Sequence, residues 1–539
     1  LKKSLKVFEE TFFQYGLKVV DYRHVPLEIK ALSTKAKNNM PNILHAIIER
    51  PKHCRTLASF EKLLYLAKQL TRTKQKENQI KKEFFFASLS PRTIIYKALC
   101  TSKSLCELYL DLQNPSFKTS FVLFHRRFCT NTLSAWDRVQ PFRLIAHNGE
   151  INTIEGNRLA AISREKSIGL RKDELVTHHG TSDSGNLNGL VEALKYRSSI
   201  HQVSEILAIM MPPADAKQAS YFRFWSRAME PWDGPALVAF CDGKKIGARL
   251  DRNGFRPCRW MKTKNIFFMA SETGCFPIDR NEIIDQGILH AGRCANIHIL
   301  KGEISFSNPD KTSNYINAHF DARLVSLNYL DSSKDEKSIL DKKRYFSHTL
   351  DDFKRIFYPK IISGKTPIGS MGDTARLAFL STINRSFYDY FYQNFSQVTN
   401  PPLDYIREKM VTELQVFLGR KPNIFEPKEL IPPTSALELE TPIISLGQIE
   451  YIRAIGRDRP ELNLKVEIYN ILFKKGSSNI KFEKTIDEIK YNVIDGVKNG
   501  ANIIILTDRN VDDDNLPIPP LLVLRAVQIE LNKTGRRLR

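Results

Sequence analysis

Alternation of apolar and polar segments is clearest between residues 236 and 272. The segments "ALVAF", "IGARL" and "IFFMAS" have the length and apolar content of short strands. Asp242-Gly243, between the first two, is typical of a tight hairpin turn. We therefore predict an antiparallel meander in which the three strands pair in chain order.

Helical and extended patterns are mixed in residues 1 to about 120. "FEKLLYLAKQL" (60–70) has apolar residues at helical spacing and predicts a helix, whereas "TIIYKAL" (93–99) is typical of a strand. The charged run "RTKQKENQIKKE" (72–83) separates the two. Farther along, "RLIA" (143–146) predicts a strand that leads directly into Asn148-Gly149.

A helical pattern follows residue 400. Its apolar stripe consists of Ile406, Met410, Leu414 and Phe417. These positions predict one amphipathic helix, and "TNPP" just upstream marks a break before it.

Helix and strand then alternate towards residue 539. One face of the helix predicted over 482–500 carries Ile486, Ile489, Val493 and Val497. This helix ends at Gly500 and leads into the strand "ANIIILTD", and a proline-rich loop precedes a second helix closed by Gly535. The alternation predicts an α/β region, with 503–506 at the edge of an incomplete parallel sheet.

Length and composition indicate that the chain has more than one domain. A length of 539 residues with 42% hydrophobic content exceeds what one core usually holds, so we expect at least two domains. The polar, charge-dense stretch around 328–345 is the boundary candidate. We predict a first domain over 1–328, a linker over 329–345 and a second domain over 346–539.

The net charge of +22 raises the possibility of a nucleic-acid or membrane partner. The excess is spread along the chain, however, and its short basic clusters lack interleaved aromatic residues and any nucleic-acid motif. We therefore interpret it as a solvated lysine-rich surface, with neither nucleic acid nor a membrane as partner. The start of the chain lacks a signal-peptide profile and no run of 18 apolar residues occurs, which predicts a soluble protein.

The eight cysteines form no C-x-x-C pair and no cluster with the spacing of a zinc or iron–sulfur site. We predict no metal site. In a chain of this size, such cysteines are typical of reduced thiols in a cytosol-like compartment.

Candidate chemistry is concentrated in four blocks rich in glycine, Asn, Asp and Arg. They are "HRRFCTNT" (125–132), "HNGEINTIEGN" (147–157), "TSDSGN" (181–186) and "MEPWDGPA" through "LDRNGFRP" (229–257). A backbone N–H beside an Asn amide stabilises an oxyanion, an Arg clamps a carboxylate and an Asp holds an ammonium. Together these groups indicate a site for the amide of an α-amino acid.

Each block has a structural alternative. Asn148-Gly149 is typical of a tight turn, Arg126-Arg127 of a solvated surface, and the "SDS" of residues 182–184 of a helix cap. The order and combination of the blocks favour the functional interpretation.

At these residues the chain resembles the large subunit of glutamate synthase. The resemblance begins within its class II amidotransferase domain and continues into its central domain. It rests on "SLSPRTIIYK", "HRRFCTNT", "AHNGEINTIEGN", "SDS", "MEPWDGPA", "DRNGFRP", "GSMGD", "QVTNPPLDYIRE" and "GANIIILTDR", in that family's order. It implies an α+β αββα sandwich of the N-terminal nucleophile hydrolase type, incomplete here, followed by an α/β central domain.

The resemblance also implies roles for individual residues. Arg127 would bind the α-carboxylate of glutamine and Asp183 its α-ammonium, while Asn148 and the N–H of Gly149 would form the oxyanion hole. The residues that would shape the pocket wall are Phe128, Thr130 and Asn131. Within the block "GSMGDTARLA", residues 374–376 depart from the family pattern, so the role of the loop Gly369–Asp373 stays open.

The family's nucleophile is a cysteine at the mature N-terminus, whose own α-amine shuttles the proton. Leu1 has no thiol, so we expect no nucleophile in this chain and an inactive fragment. Cys129, inside a pocket block, is the alternative by proximity alone.

For the whole protein, the resemblance implies that ammonia released from glutamine passes to 2-oxoglutarate on an FMN-binding barrel with an iron–sulfur cluster. Both cofactors are expected beyond residue 539 and none in this fragment. The electron donor, NADPH through a small subunit or ferredoxin, stays open, as does location in a cytoplasm or a plastid stroma.

Two other hypotheses belong to different classes. One is a complete, cysteine-less pseudo-amidotransferase that binds glutamine or a partner. The other is the nucleic-acid binder that the charge distribution disfavours.

Overall fold

The computed structural model describes most of the chain with its side chains. The described residues are 2–80, 84–127, 135–167, 170, 176–214, 220–272, 274–275, 278–306, 343, 345–346, 348–364, 378–380, 382, 387–391, 404–425 and 436–538. The predicted linker, except for Lys343 and Tyr345, and the loop Gly369–Asp373 lie outside the described residues.

The first 306 residues contain both helices and strands. The helices are α1 (Lys2–Phe13), α2 (Thr34–Asn38), α3 (Leu57–Glu77), α4 (Ser102–Leu108), α5 (Ile154–Ser167), α6 (Asp183–Arg197), α7 (Val203–Met210) and α8 (Ser220–Ala228). The strands are β1 (Lys18–His24), β2 (Leu44–Glu49), β3 (Ile145–Gly149), β4 (Ala236–Cys241), β5 (Lys245–Leu250), β6 (Arg259–Lys262), β7 (Phe267–Ala270), β8 (Asp285–Ile288), β9 (Cys294–His298) and β10 (Ile304–Ser305).

The remaining elements follow residue 342. The helices are α9 (Leu350–Asp352), α10 (Tyr358–Ser363), α11 (Tyr405–Val411), α12 (Leu446–Asp458), α13 (Asn479–Lys498) and α14 (Pro520–Lys533). The strands are β11 (Val416–Leu418), β12 (Leu437–Leu439), β13 (Val466–Asn470), β14 (Leu472–Lys474), β15 (Ile503–Thr507) and β16 (Asn515–Pro517).

A five-stranded antiparallel sheet organises the first region, with strand order β10-β9-β5-β4-β3. Alternate residues of β4 enter different cores because successive side chains of a strand point to opposite faces. Ala236, Val238 and Phe240 pack with buried residues of α6 and α7. Leu237 and Ala239 join a second cluster with residues that flank β6 and β8. The sheet is therefore covered on both faces, and this mixed α and β architecture is consistent with the αββα sandwich.

The meander predicted over 236–272 is only half right. β4 and β5 form the expected hairpin around Asp242-Gly243, but the third strand, β7, pairs with β6 in a separate sheet of order β7-β6-β8. The second neighbour of β5 is β9, which lies more than 40 residues farther along the chain. Strand identity was readable from local pattern, whereas pairing was not.

Two further local predictions need correction. Residues 93–98 carry no strand; instead the Tyr96 hydroxyl donates to Asp111 and the Lys97 ammonium to the Val139 carbonyl. The helix predicted over 60–70 is confirmed, but α3 continues through the charged run to Glu77.

The apolar stripe after residue 400 is also not one helix. Helix α11 ends at Val411, Leu414 is exposed, and Phe417 lies in β11, which pairs with β12. Pairing between strands competes here with helical periodicity and prevails.

The α/β prediction for the C-terminal part is confirmed. β13 and β15 pair in parallel, and α13 connects towards β15 with Ile489, Val493 and Val497 buried on one face. Gly500 (φ +97°) and Gly535 (φ +67°) follow the two helix ends in the conformation that favours glycine.

The two regions make direct contact. The Ser163 hydroxyl on α5 donates to Asn532 Oδ1 on α14 over 2.5 Å, and both residues are buried. The Arg252 guanidinium donates to the Val411 carbonyl over 2.7 Å.

Candidate functional site

The end of β3 is not a turn. Asn148 pairs with Leu237 and Gly149 with Ala236, so both residues belong to the sheet. Gly149 has φ +136°, and a Cβ built there would lie 1.7 Å from the Pro235 carbonyl oxygen. Since neither strand can move away without losing the ladder, the position requires glycine. The tight-turn alternative for Asn148-Gly149 is therefore wrong.

The segment that follows β3 is fastened to the "MEPWDGPA" block. The Glu150 N–H donates to the Pro235 carbonyl over 3.1 Å, and the Asp233 N–H donates to the Thr153 hydroxyl over 3.0 Å. A Cβ at Gly234 would lie 2.0 Å from the Glu150 carbonyl oxygen. Two of the four sequence blocks thus meet backbone to backbone at the end of β3.

Asp183 lies at the first turn of α6, where Ser182 caps the helix through the Gly185 N–H. The Asp183 carboxylate also reaches across to β3: Oδ2 accepts from the Ile151 N–H over 3.0 Å. Its other oxygen accepts from the Ser184 N–H over 2.6 Å. The helix-cap alternative for "SDS" is right for Ser182, but Asp183 additionally connects α6 to the site.

His147 joins the same neighbourhood, and sequence reasoning did not single it out. Its Nδ1 lies 2.8 Å from the Ser184 hydroxyl. Burial lowers the pKa of the His147 imidazole to about 4; the charge of Asp183 opposes this shift, while His125 and Arg256 add to it. The ring is therefore neutral at neutral pH, and the quoted block "HNG" already contained the residue.

The outer edge of β3 is completed by side chains rather than by a strand. The Gln140 amide accepts from the His147 N–H over 2.6 Å and donates to the His147 carbonyl over 2.8 Å. His125 Nε2 lies 3.1 Å from the same carbonyl. Through His125, the segment that leads to Arg127 is held beside β3.

Asp251, in the block "DRNGFRP", binds the backbone of β4, the strand that pairs with β3. Its buried carboxylate accepts from the N–H groups of Ala236 over 3.0 Å, Asn253 over 2.8 Å and Gly254 over 2.6 Å. Ala236 is the ladder partner of Gly149. Burial raises the pKa of the Asp251 carboxyl, against the effect of these hydrogen bonds. Asp251 thus positions the strand against which Gly149 packs.

Of the predicted site residues, Asn148, Gly149 and Asp183 are brought together. Arg127 is described and exposed, and its segment reaches β3 through His125. Phe128, Cys129, Thr130 and Asn131 lie outside the described residues.

Several described thiols are held in their neutral form. Burial raises the pKa of Cys241 and of Cys258 to about 12 and that of Cys294 to about 11. A thiol must ionise to act as a nucleophile, so these three are poor candidates. Within the part of the chain that the structure describes, no group of His, Cys, Asp and Glu is arranged to hold a metal ion. Over the same residues, no helix has the length and apolarity needed to span a bilayer.

Comparison with known proteins gives matches along the chain. Residues 1–320 match the family described as class-II glutamine amidotransferases, and residues 341–539 match the glutamate synthase central domain. The chain is 34% identical to ferredoxin-dependent glutamate synthase 2 of Synechocystis sp., over 98% of this chain and 35% of that protein. It is 32% identical to the large chain of the NADPH glutamate synthase of Bacillus subtilis, over 99% of this chain and 36% of that protein.

Among solved structures, glutamine phosphoribosylpyrophosphate amidotransferase of B. subtilis is 18% identical, with a TM-score of 0.22 over 34% of each chain. That similarity carries no weight in the assignment. The chain spans about a third of the length of the curated relatives that it matches. Over its first 320 residues, with the blocks gathered around β3, the chain belongs to the class-II glutamine amidotransferase family.

Proposed function

We propose that the end of β3 is the glutamine site of an amidotransferase. Asn148 and the Gly149 N–H form the oxyanion hole, Asp183 binds the α-ammonium of glutamine and Arg127 its α-carboxylate. The residues assigned to the pocket wall are Phe128, Thr130 and Asn131. The observation that carries the proposal is the junction of β3 with α6, where the Asp183 carboxylate accepts from the Ile151 N–H two residues after Gly149.

The chemistry follows from these positions. Attack of a thiolate on the amide carbon of glutamine moves the carbonyl electron pair onto oxygen. Donors that already point at this oxygen stabilise the negative charge without reorganising. When the oxyanion collapses, the carbon–nitrogen bond breaks and ammonia leaves with a proton. We assign the nucleophile to no residue of this chain; the raised pKa values of Cys241, Cys258 and Cys294 argue against these three thiols.

For the whole protein we propose glutamate synthase activity, in which this ammonia aminates 2-oxoglutarate. The matches to a ferredoxin-dependent and to an NADPH-dependent relative support this proposal and leave both electron donors open. FMN and an iron–sulfur cluster would supply the reducing electrons. No step is assigned to them on the described residues, which offer no metal-binding cluster. We propose the cytoplasm, or alternatively a plastid stroma, as the location.

Glutamine binding can be tested without a nucleophile. Titration calorimetry with L-glutamine should give a binding signal for residues 1–539. Asp183→Asn keeps an acceptor for the Ile151 N–H but removes the charge, and it should weaken binding by roughly 10-fold or more. Asp279→Asn, at an exposed turn, is the matched control and should bind normally. Equal binding by all three proteins would contradict the proposed role of Asp183.

Turnover is tested in a longer protein that carries the cysteine nucleophile. Asn148→Asp places a negative charge beside the developing oxyanion, and loss of one such donor typically lowers turnover by ~10²–10³-fold. We expect the glutamine-dependent formation of glutamate to fall and the ammonia-dependent formation to persist. Equal loss of both activities would indicate a structural defect instead. Robust glutaminase activity of residues 1–539 that disappears on Cys129→Ala would overturn the assignment of the nucleophile.

A further inference from the structure

A cavity lies between the two regions, apart from the residues assigned to the glutamine site. It has a volume of about 550 Å³ and is bounded by the loop after β5, the segment between β8 and β9, and helix α11. Its lining contains neither Asn148, Gly149, Asp183 nor Arg127. The basic residues that line it are Arg252, Arg256, Arg259, His290, Arg293 and Arg407.

The charge of this cavity is one-sided. No Asp or Glu is found among the described residues that line it. The Arg252 guanidinium is partly neutralised, since it donates to the Val411 carbonyl over 2.7 Å and to the Glu413 carboxylate over 3.3 Å. The Nε atoms of Arg256 and Arg407 are buried and have no hydrogen-bond partner among the described residues. Arg256 and Arg407 face the same space with these unpartnered atoms, and an anion between two guanidinium groups would remove their mutual repulsion.

The walls of the cavity are also partly apolar. Leu250, Leu289 and Met410 line it together with the arginines. Gly254 allows α11 to approach: a Cβ there would lie 3.2 Å from an Arg407 guanidinium nitrogen and 2.8 Å from the Ala291 Cβ. A volume of this size accommodates an organic molecule rather than a single small ion.

We propose that this cavity binds an organic anion carrying phosphate or carboxylate groups, which bridges the amidotransferase region and α11. Guanidinium groups bind such oxyanions through paired, charge-assisted hydrogen bonds. Arg256 and Arg407, from the two regions, hold the anionic end, while Leu250, Leu289 and Met410 contact the carbon skeleton. The cavity is distinct from the glutamine site, because its lining contains none of the residues assigned to glutamine, although the charge of Arg256 also acts on His147.

The test uses the protein of residues 1–539 and three probes: inorganic phosphate, phenyl phosphate and succinate. Binding is measured by titration calorimetry against sodium chloride of equal ionic strength. We expect phenyl phosphate to bind more tightly than inorganic phosphate because of its apolar ring. Whether succinate also binds distinguishes a carboxylate ligand from a phosphate ligand. Failure of all three probes to bind beyond the chloride control would overturn the proposal.

Variants locate the site. Arg256→Gln and Arg407→Gln should each weaken binding by roughly 10-fold or more, the effect of losing one charged hydrogen-bond partner. Arg457→Gln, an equal change of charge at an exposed position on α12, is the control and should bind as the wild type does. Binding unchanged in both cavity variants would overturn the assignment.

If the variants fail to fold, the proposal can still be tested on the wild-type protein. Phenylglyoxal modifies accessible arginines, and mass spectrometry reports each site. Phenyl phosphate should slow modification of Arg256 and Arg407 but not of Arg457. Equal protection of all three, or of none, would contradict a specific cavity.

Discussion

The two regions of the chain use burial differently. In the first region, the five-stranded sheet is covered on both faces, and polar residues such as His147, Asp251 and Glu192 are buried with defined partners. In the second region, the parallel pair of β13 and β15 has a smaller core, and large apolar side chains such as Ile406 and Ile443 are exposed.

This difference in burial indicates which region can hold reactive polar groups. Removing polar groups from water shifts their pKa values and strengthens their hydrogen bonds, provided that the fold supplies partners. The first region satisfies this condition around β3. In the second region, by contrast, apolar side chains are exposed, and α11 contacts the first region.

The largest expected effect comes from breaking a buried ion pair of the first region. The Glu192 carboxylate lies between Arg143 and Lys68; burial alone would raise its pKa, but these two charges outweigh burial and lower it to about 2. Glu192→Gln should cost about 3–5 kcal/mol in urea unfolding, because buried Lys68 and half-buried Arg143 lose their partner.

The control is Glu450→Gln in the second region. Glu450 forms an exposed pair with Arg453 on α12, for which about 0–1 kcal/mol is expected. Similar losses in the two variants would show that burial does not separate the regions in this way.

The next effect is a pH dependence due to His147. Its pKa is lowered from 6.5 to about 4, so the unfolded chain binds the proton first as pH falls. Stability from this residue is therefore complete above pH 6.5 and decreases towards pH 4, by about 3 kcal/mol at most. Glu165, whose pKa burial raises to about 7, acts in the opposite direction.

Comparison of variants isolates this contribution. The difference in unfolding free energy between the wild type and His147→Gln should shrink as pH falls from 6.5 to 4. A difference that stays constant over this range would contradict a neutral, buried His147.

A smaller effect is expected at the end of β3. Gly149→Ala forces a Cβ against the Pro235 carbonyl oxygen and should cost about 1–3 kcal/mol and weaken glutamine binding. Gly156→Ala in α5, where no described atom outside the adjacent helix backbone lies within 4 Å of the new Cβ, should instead stabilise by up to about 1 kcal/mol. If Gly149→Ala changed neither the free energy of unfolding nor glutamine binding, this position would not require glycine.

The smallest effect concerns the contact between the regions. Ser163→Ala leaves buried Asn532 without its partner and should cost about 1 kcal/mol. Hydrogen exchange of the α14 amides should accelerate, whereas Ser363→Ala at an exposed position should leave it unchanged. Equal exchange in both variants would show that the hydrogen bond between Ser163 and Asn532 does not stabilise α14.

Much of the site could be predicted from sequence, because its residues fall in short blocks with distinctive chemistry. Asn148, Gly149 and Asp183 were singled out and lie together, although their roles stay proposals. His147, Gln140 and Asp251 were not singled out, because their contacts reach residues that are distant in sequence and no local pattern reveals them.

The sequence by itself determined the elements whose signals are local. Examples are the hairpin at Asp242-Gly243, helix α13 with its buried face, and the glycine after its end. Hydrophobic periodicity and helix capping depend on residues a few positions apart, so they can be recognised in the sequence.

Only the tertiary structure decided which strands pair and which distant side chains meet. β5 pairs with β9 rather than with β7, and Gln140 completes the edge of β3. Arg256 and Arg407 line one cavity although about 150 positions separate them. Long-range contacts are selected by the packing of the whole core against the entropy of closing long loops, and that balance has no local signature.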